Sequence, residues 1–144
     1  MSIKQISVFV ENRPGSLNAM TEVLAQNDID LRALSLAETE DFGIVRLIVD
    51  NAYKATTVLK DAGYVHSATP VVGVVIPDVP GGLNQVLQVL TAANVNIEYM
   101  YAFLGGKKAN HAYMIFRVED ANAASAALVS KGIQTIDQED IEEI

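Results

Sequence analysis

Ile6, Val8 and Val10 alternate with more mixed residues near the start of the chain, and Val72, Val74 and Ile76 repeat the pattern in its middle. A period of two is the mark of a strand with one buried face, because successive side chains point to opposite sides. Each run ends in a Pro-Gly turn, Pro14-Gly15 or Pro80-Gly81, and the spacing then changes. Leu17, Met20 and Leu24, echoed by Leu83, Val86 and Leu90, recur at helical spacing. The spacing predicts a helix from about Ser16 to Asn27, with Gly15-Ser16 and Gly81-Gly82 placed to cap the helix starts.

A strand from about Leu31 to Ala37 comes next, ended by polar Glu38-Thr39-Glu40-Asp41, with a return strand through Val45, Leu47 and Val49. Its counterpart runs from Ile97 to Leu104, turns at Gly105-Gly106 and returns through Met114, Phe116 and Val118. Asn51 and Asp120 are N-cap residues for second helices carrying Ala55, Leu59 and Ala62, or Ala124 and Leu128. Gly63 and Gly132 stand where a left-handed C-terminal residue is wanted. Short strands follow near Tyr64 to Ser67 and Ile133 to Ile136.

The correspondence is a duplication. Pro14/Pro80, Gly15/Gly81, Leu17/Leu83 and Asn18/Asn84 coincide at an offset of 66, and Ala52/Ala121, Ala55/Ala124, Leu59/Leu128 and Gly63/Gly132 at 69. The change reflects a three-residue insertion around Gly105-Gly106-Lys107-Lys108. Each copy orders as β-α-β-β-α-β, which predicts an α+β chain of two ferredoxin-like βαββαβ sandwiches in tandem, antiparallel sheets with helices on one face. The expected division is 1–68, 69–136 and an acidic C-terminal tail, 137–144. The join Ser67-Ala68-Thr69-Pro70 is too short for a flexible linker.

Composition narrows the function. Lys and Arg number 10 against 18 Asp and Glu in 144 residues, a net charge of −8, which excludes a binder that tracks nucleic-acid phosphates. Asp137, Glu139, Asp140, Glu142 and Glu143 account for much of it, and without those five the charge is −3. The tail is read as a solvated terminus. With no cysteine there is no disulfide framework or thiolate nucleophile. No apolar run is long enough to span a membrane, so a cytoplasmic protein is expected. His66 and His111 have no metal-ligand spacing, Gly81-Gly82 lacks the residues of a P-loop, and no nucleophile is paired with a base. No enzyme, metal site or cofactor is predicted.

Asn12-Arg13-Pro14-Gly15 and Asp78-Val79-Pro80-Gly81 each place a polar side chain before a helix start. Backbone N–H groups there are unsatisfied by the helix and carry partial positive charge, so the loop either holds a carboxylate or phosphate or merely shapes the turn. Asn12-Arg13-Pro14-Gly15-Ser16-Leu17 with Asp28-Ile29-Asp30-Leu31, and Asp78-Val79-Pro80-Gly81-Gly82-Leu83 with Asn94-Val95-Asn96-Ile97, resemble the signature of ACT domains. These are small βαββαβ modules that bind amino acids and regulate metabolic enzymes.

The resemblance implies a free amino acid bound where two such units pair, held by the loop of one and the second-strand start of the other. It assigns ligand binding to Asn12, Arg13, Gly15, Ser16 and Leu17 in the first loop, to Asp78, Gly81, Gly82 and Leu83 in the second, and to Asp30 and Asn96 at the strand starts. The implied pairings, Asn12 with Asn96 and Asp78 with Asp30, predict unequal sites: the first mixes donors and acceptors, whereas two carboxylates suit a cation or a ligand with a further basic group. Val10 and Ile76 stand where the family loop carries a His. Tyr99, Tyr101 and Phe103 share a strand face, either walling a pocket in which Glu98 recognises a cation or packing on the sheet.

The expected function is a non-catalytic regulator that binds an amino acid between its repeats and signals to a metabolic enzyme or other partner. The alternative is a ligand-free interaction module or regulatory subunit. Phe9, Ile44, Ile48, Val75, Tyr113 and Ile115 point away from the helices by alternation, an apolar face that predicts a homodimer.

Overall fold

A computed structural model of the chain describes residues 2–143. The fold divides into two units, Lys4–Thr69 and the chain from Pro70 onward together with Ile3. The first-repeat unit contains β1 (Ile3–Glu11), α1 (Ser16–Gln26), β2 (Leu31–Glu38), β3 (Phe42–Val49), α2 (Ala52–Asp61) and the start of β4 (His66–Pro77). β3 pairs antiparallel with both β1 and β2, setting Val8 opposite Val45 and Leu34 opposite Leu47. Among the described strands β2 pairs only with β3 and so forms an edge.

That register puts Ile6, Val8, Val10, Val45, Leu47 and Val49 on one face, where Met20 and Leu24 of α1 and Ala55 and Leu59 of α2 close the core. Each fully buried aliphatic side chain of this kind contributes about 1.5–3 kcal/mol. The period-two and helical patterns of the sequence thus meet on a single interior.

The second-repeat unit continues β4 and adds α3 (Gly82–Ala92), β5 (Ile97–Ala102), β6 (His111–Val118), α4 (Ala121–Ser130), β7 (Thr135–Ile136) and α5 (Gln138–Glu143). β6 pairs antiparallel with β4 and β5, and β7 pairs with β4. Val72, Val74, Ile76, Phe116 and Val118 pack on Val86, Leu90, Ala124 and Leu128. Each unit is a ferredoxin-like repeat, antiparallel strands with two helices on one face, as the element order predicts.

Helix ends follow local chemistry. Asn51 accepts from the Lys54 N–H and Asp120 from the Ala123 N–H, each at 3.0 Å, as N-caps. Gly63 and Gly132 adopt φ of 86° and 76° at the ends of α2 and α4. The starts of α1 and α3 differ from expectation: left-handed Gly15 and Gly81 occupy the N-cap positions, and no side chain caps either helix. The turn is made by backbone conformation, and Ser16 lies inside the helix.

Three further expectations are sharpened or revised. The join between repeats is strand: β4 runs for 12 residues through Ser67-Ala68-Thr69-Pro70, a segment with no glycine to break it. The acidic tail is ordered as α5, and Ile141 is fully buried. Asp137 and Asp140 exchange side-chain-to-backbone hydrogen bonds at 2.9 and 3.0 Å, a reciprocal cap that nucleates the short helix.

The third revision concerns the sheet face turned from the helices. Ile48 and Ile115 are fully inaccessible in the single chain, Val75 and Tyr113 are buried, and only Phe9 of the six apolar positions is exposed. Four of these six positions are therefore covered within the single chain, while Phe9 and, two residues from Ile44, Phe42 stay exposed on it.

Candidate functional site

The first Pro-Gly loop opens a cleft of about 260 Å³ lined by Val10, Glu11, Asn12, Arg13, Ser16, Leu17, Leu36, Glu38 and Gly43. β1 delivers Val10 and Glu11, the start of α1 delivers Ser16 and Leu17, and the β2–β3 register delivers Leu36, Glu38 and Gly43. Gly43 faces Val10 across one ladder and Glu38 across the other, which fixes the cleft floor on a glycine. A side chain there would stand against Leu36 and Val10, so the missing β-carbon is what leaves the space.

The loop is braced against the β2–β3 hairpin. The Asn12 N–H donates to the Asp41 carbonyl at 3.0 Å, and the Asn12 amide donates to the carbonyls of Thr39 and Glu40 at 3.2 and 3.4 Å and to Glu38 Oε2 at 3.4 Å. The donor end of Asn12 is thus engaged within the protein, leaving its amide oxygen as the group it offers outward. Arg13 pairs with Glu11 at 2.9 Å with both side chains exposed, an arrangement that holds neither tightly. The remaining predicted loop residue, Gly15, sits at the N-cap with φ 86°.

The second loop is built more tightly. Gly82, at the position of Ser16 in the duplication, lies so close to the Pro77 carbonyl that a β-carbon there would collide with it. Gly81 takes the left-handed N-cap conformation, Leu83 packs against the unit's core, and Asp78 donates its N–H to the Asn110 carbonyl at 2.9 Å. The two loops share a backbone plan and differ in the room they leave.

The strand-start residues lie apart from the loop of their own repeat. Asp30 lines a separate cleft with Asn18, Thr21, Glu22 and Leu31, its N–H donating to Asp50 at 3.0 Å and its carboxylate pairing with Arg32 at 3.0 Å. Asn96 and Glu98 line another with Asn94, Glu119, Asp120 and Ala123. Glu98 pairs with Arg117 at 3.3 Å, so its carboxylate is already neutralised in part.

Tyr99 and Tyr101 stack with ring centroids 6.4 Å apart, and Phe103 tilts against Tyr113 at 6.0 Å. Tyr101, Phe103 and Tyr113 are buried, which matches the packing alternative for this stripe. A bulge between Ile97 and Tyr99 puts Tyr99 opposite Arg117 and Tyr101 opposite Ile115, away from the helix face that takes Met100. Val10, Glu11, Leu36, Glu38 and Gly43 are the cleft residues that sequence reasoning did not assign to the ligand; for the hairpin side the one available signal was a glycine inside a strand pattern. Among the described residues no group of three or more His, Asp or Glu is placed to hold a metal ion. No described helix is long and apolar enough to cross a membrane.

The family model for an ACT domain pair matches residues 1–144. The chain belongs to the ACT-domain family. Its two units are therefore ACT repeats, modules of regulatory proteins. A Bacteroides thetaiotaomicron protein of known crystal structure is 40% identical, with a TM-score of 0.92 over 100% of this chain and 98% of that one. The ligand-free regulatory subunit of aspartate kinase from Thermus thermophilus is 20% identical, with a TM-score of 0.66 over 88% of this chain and 91% of that one. The Thermus flavus regulatory subunit is 16% identical, with a TM-score of 0.61 over 88% and 90%. At these lower identities the likeness is one of fold. No curated protein matches the chain.

Proposed function

We propose that this ACT pair is a non-catalytic regulator that binds a free amino acid in the cleft of its first Pro-Gly loop and passes that occupancy to a metabolic enzyme. The observation that carries the reading is the convergence of Asn12, Arg13, Ser16 and Leu17 with Leu36, Glu38 and Gly43 on one cleft. A zwitterion needs donors for its carboxylate and acceptors for its ammonium. The start of α1, which no side chain caps, supplies N–H groups and the positive end of the helix dipole, and Glu38, Glu11 and the Asn12 oxygen supply acceptors. Leu17, Leu36 and Val10 take the ligand's apolar part.

Regulation follows by linkage. A ligand that favours one conformation of the chain shifts any partner that prefers the same conformation by the same free energy. The test is thermal unfolding of the full chain against each of the twenty amino acids. Ligand at about a hundredfold excess over Kd stabilises by about 2.7 kcal/mol, enough to raise Tm by several degrees. No shift with any of them at millimolar concentration removes the reading. One observation favours the ligand-free interaction module instead: the donor end of the Asn12 amide is already spent on the hairpin. Under that reading Asn12→Ala loosens the hairpin and no amino acid changes Tm.

A further inference from the structure

The two hairpins that leave the edge strands carry opposite charge. In the first-repeat unit the β2–β3 hairpin is Glu38-Thr39-Glu40-Asp41, exposed throughout and flanked by Leu36 and Phe42, each 54% exposed. In the second-repeat unit the β5–β6 hairpin includes Leu104, Lys107 and Lys108, also exposed, with Leu104 at 52%. Beside it Val79 is 57% exposed in the Pro-Gly loop that Asp78 ties to Asn110. The duplicated element thus ends in three acids in one copy and two adjacent lysines in the other.

Both hairpins are held in shape. Asn12 clamps the acidic one through the carbonyls of Thr39 and Glu40. In the basic one the Lys108 N–H donates to the Tyr113 hydroxyl at 3.2 Å, and Gly106 presses on the same ring, where a β-carbon would lie 2.9 Å from it. The other charges nearby are the Arg13–Glu11 pair on the acidic side and Asp78 on the basic side. Each hairpin also adjoins a strand that pairs on one side only among the described strands, β2 with β3 and β5 with β6.

A chain of net charge −8 repels its own copies except where it carries local positive charge. Like hairpins repel or gain nothing, whereas unlike hairpins offer both opposite charge and a small apolar contact. We propose that the β2–β3 hairpin of one copy docks on the β5–β6 hairpin of a second copy. Lys107 and Lys108 then meet Glu40 and Asp41, while Leu104 and Val79 cover Leu36 and Phe42. The partner is a second copy of this chain, joined through unlike surfaces. Charge and exposure carry this self-association, and amino-acid binding does not, but Leu36 also lines the cleft, so a second copy and a ligand meet at that side chain.

Sedimentation of the full chain tests it. Between roughly 100 mM and 1 M salt the screening length falls from about 10 Å to about 3 Å, and self-association should weaken about tenfold. The variants E40K/D41K and K107E/K108E should each lose association about tenfold or more, and their equimolar mixture should regain it, because the charges are again complementary. That regain also shows both variants folded. A wild-type chain that stays monomeric at low salt, variants that associate as the wild type does, or a mixture no better than its components each overturn the proposal.

Discussion

Gly43 lies beneath Leu36: a β-carbon on Gly43 would stand 3.0 Å from Leu36 Cδ1 and 3.3 Å from Val10 Cγ2. Both neighbours are side chains that line the cleft. Gly43→Ala should therefore push Leu36 and Val10 into the space assigned to the ligand's apolar part. The strand itself gains about 0.5–1 kcal/mol from replacing glycine, which offsets part of an overpacking cost of about 1–3 kcal/mol. Amino-acid affinity should fall about tenfold while Tm moves by only a few degrees. Calorimetric titration alongside thermal unfolding separates the two effects, and undiminished affinity in a folded variant argues against this cleft.

The two Pro-Gly loops should respond differently to the same residue. Gly82→Ala drives a β-carbon into the Pro77 backbone carbonyl, which cannot move without disturbing β4. A loss of about 2 kcal/mol or more is expected, read as a lower denaturant midpoint. Ser16 already carries a β-carbon at the equivalent place, so Ser16→Ala should leave stability within about 0.5 kcal/mol. Equal effects at the two positions would show that the loops are not built differently.

Legibility in the sequence tracked how local each feature is. Asn51, Asp120, Gly63 and Gly132 were readable because a cap or a left-handed turn is decided within a few residues of itself. The duplicated Pro-Gly loops were readable for the same reason. Leu36 and Gly43 were not, because only the pairing of β3 with both β1 and β2 brings them under Asn12 and Leu17. The partner of Glu98 depended on a bulge that shifts Tyr99 opposite Arg117. Charge obscured α5: an acidic run reads as solvated, yet the one isoleucine in it is fully buried.

Asn94 ends α3 with φ 58°, in a turn where the Val95 N–H donates to the Leu90 carbonyl at 2.9 Å. α2 and α4 close the same way on Gly63 and Gly132. An L-residue in this conformation costs about 1–2 kcal/mol, less for asparagine, and glycine avoids it at the expense of a more mobile unfolded chain. Asn94→Gly should stabilise the second-repeat unit by about 0.5 kcal/mol, and Asn94→Val should destabilise it by more than that. Chemical denaturation of the pair of variants gives the sign of each.

Ile141 is fully buried although four of the five other residues in 138–143 are acidic. The helix around it has only 6 residues, too short to persist in water without tertiary contacts. Ile141 and the reciprocal Asp137–Asp140 bonds are two of the contacts that hold it in order. Ile141→Ala should cost about 2–4 kcal/mol and release the segment, seen as rapid hydrogen exchange over 138–143. Asp137→Asn keeps the geometry and should cost less, about 1 kcal/mol. If Ile141→Ala leaves both stability and exchange unchanged, the terminus behaves as the solvated tail its charge suggests, and the burial of this side chain contributes nothing to the fold.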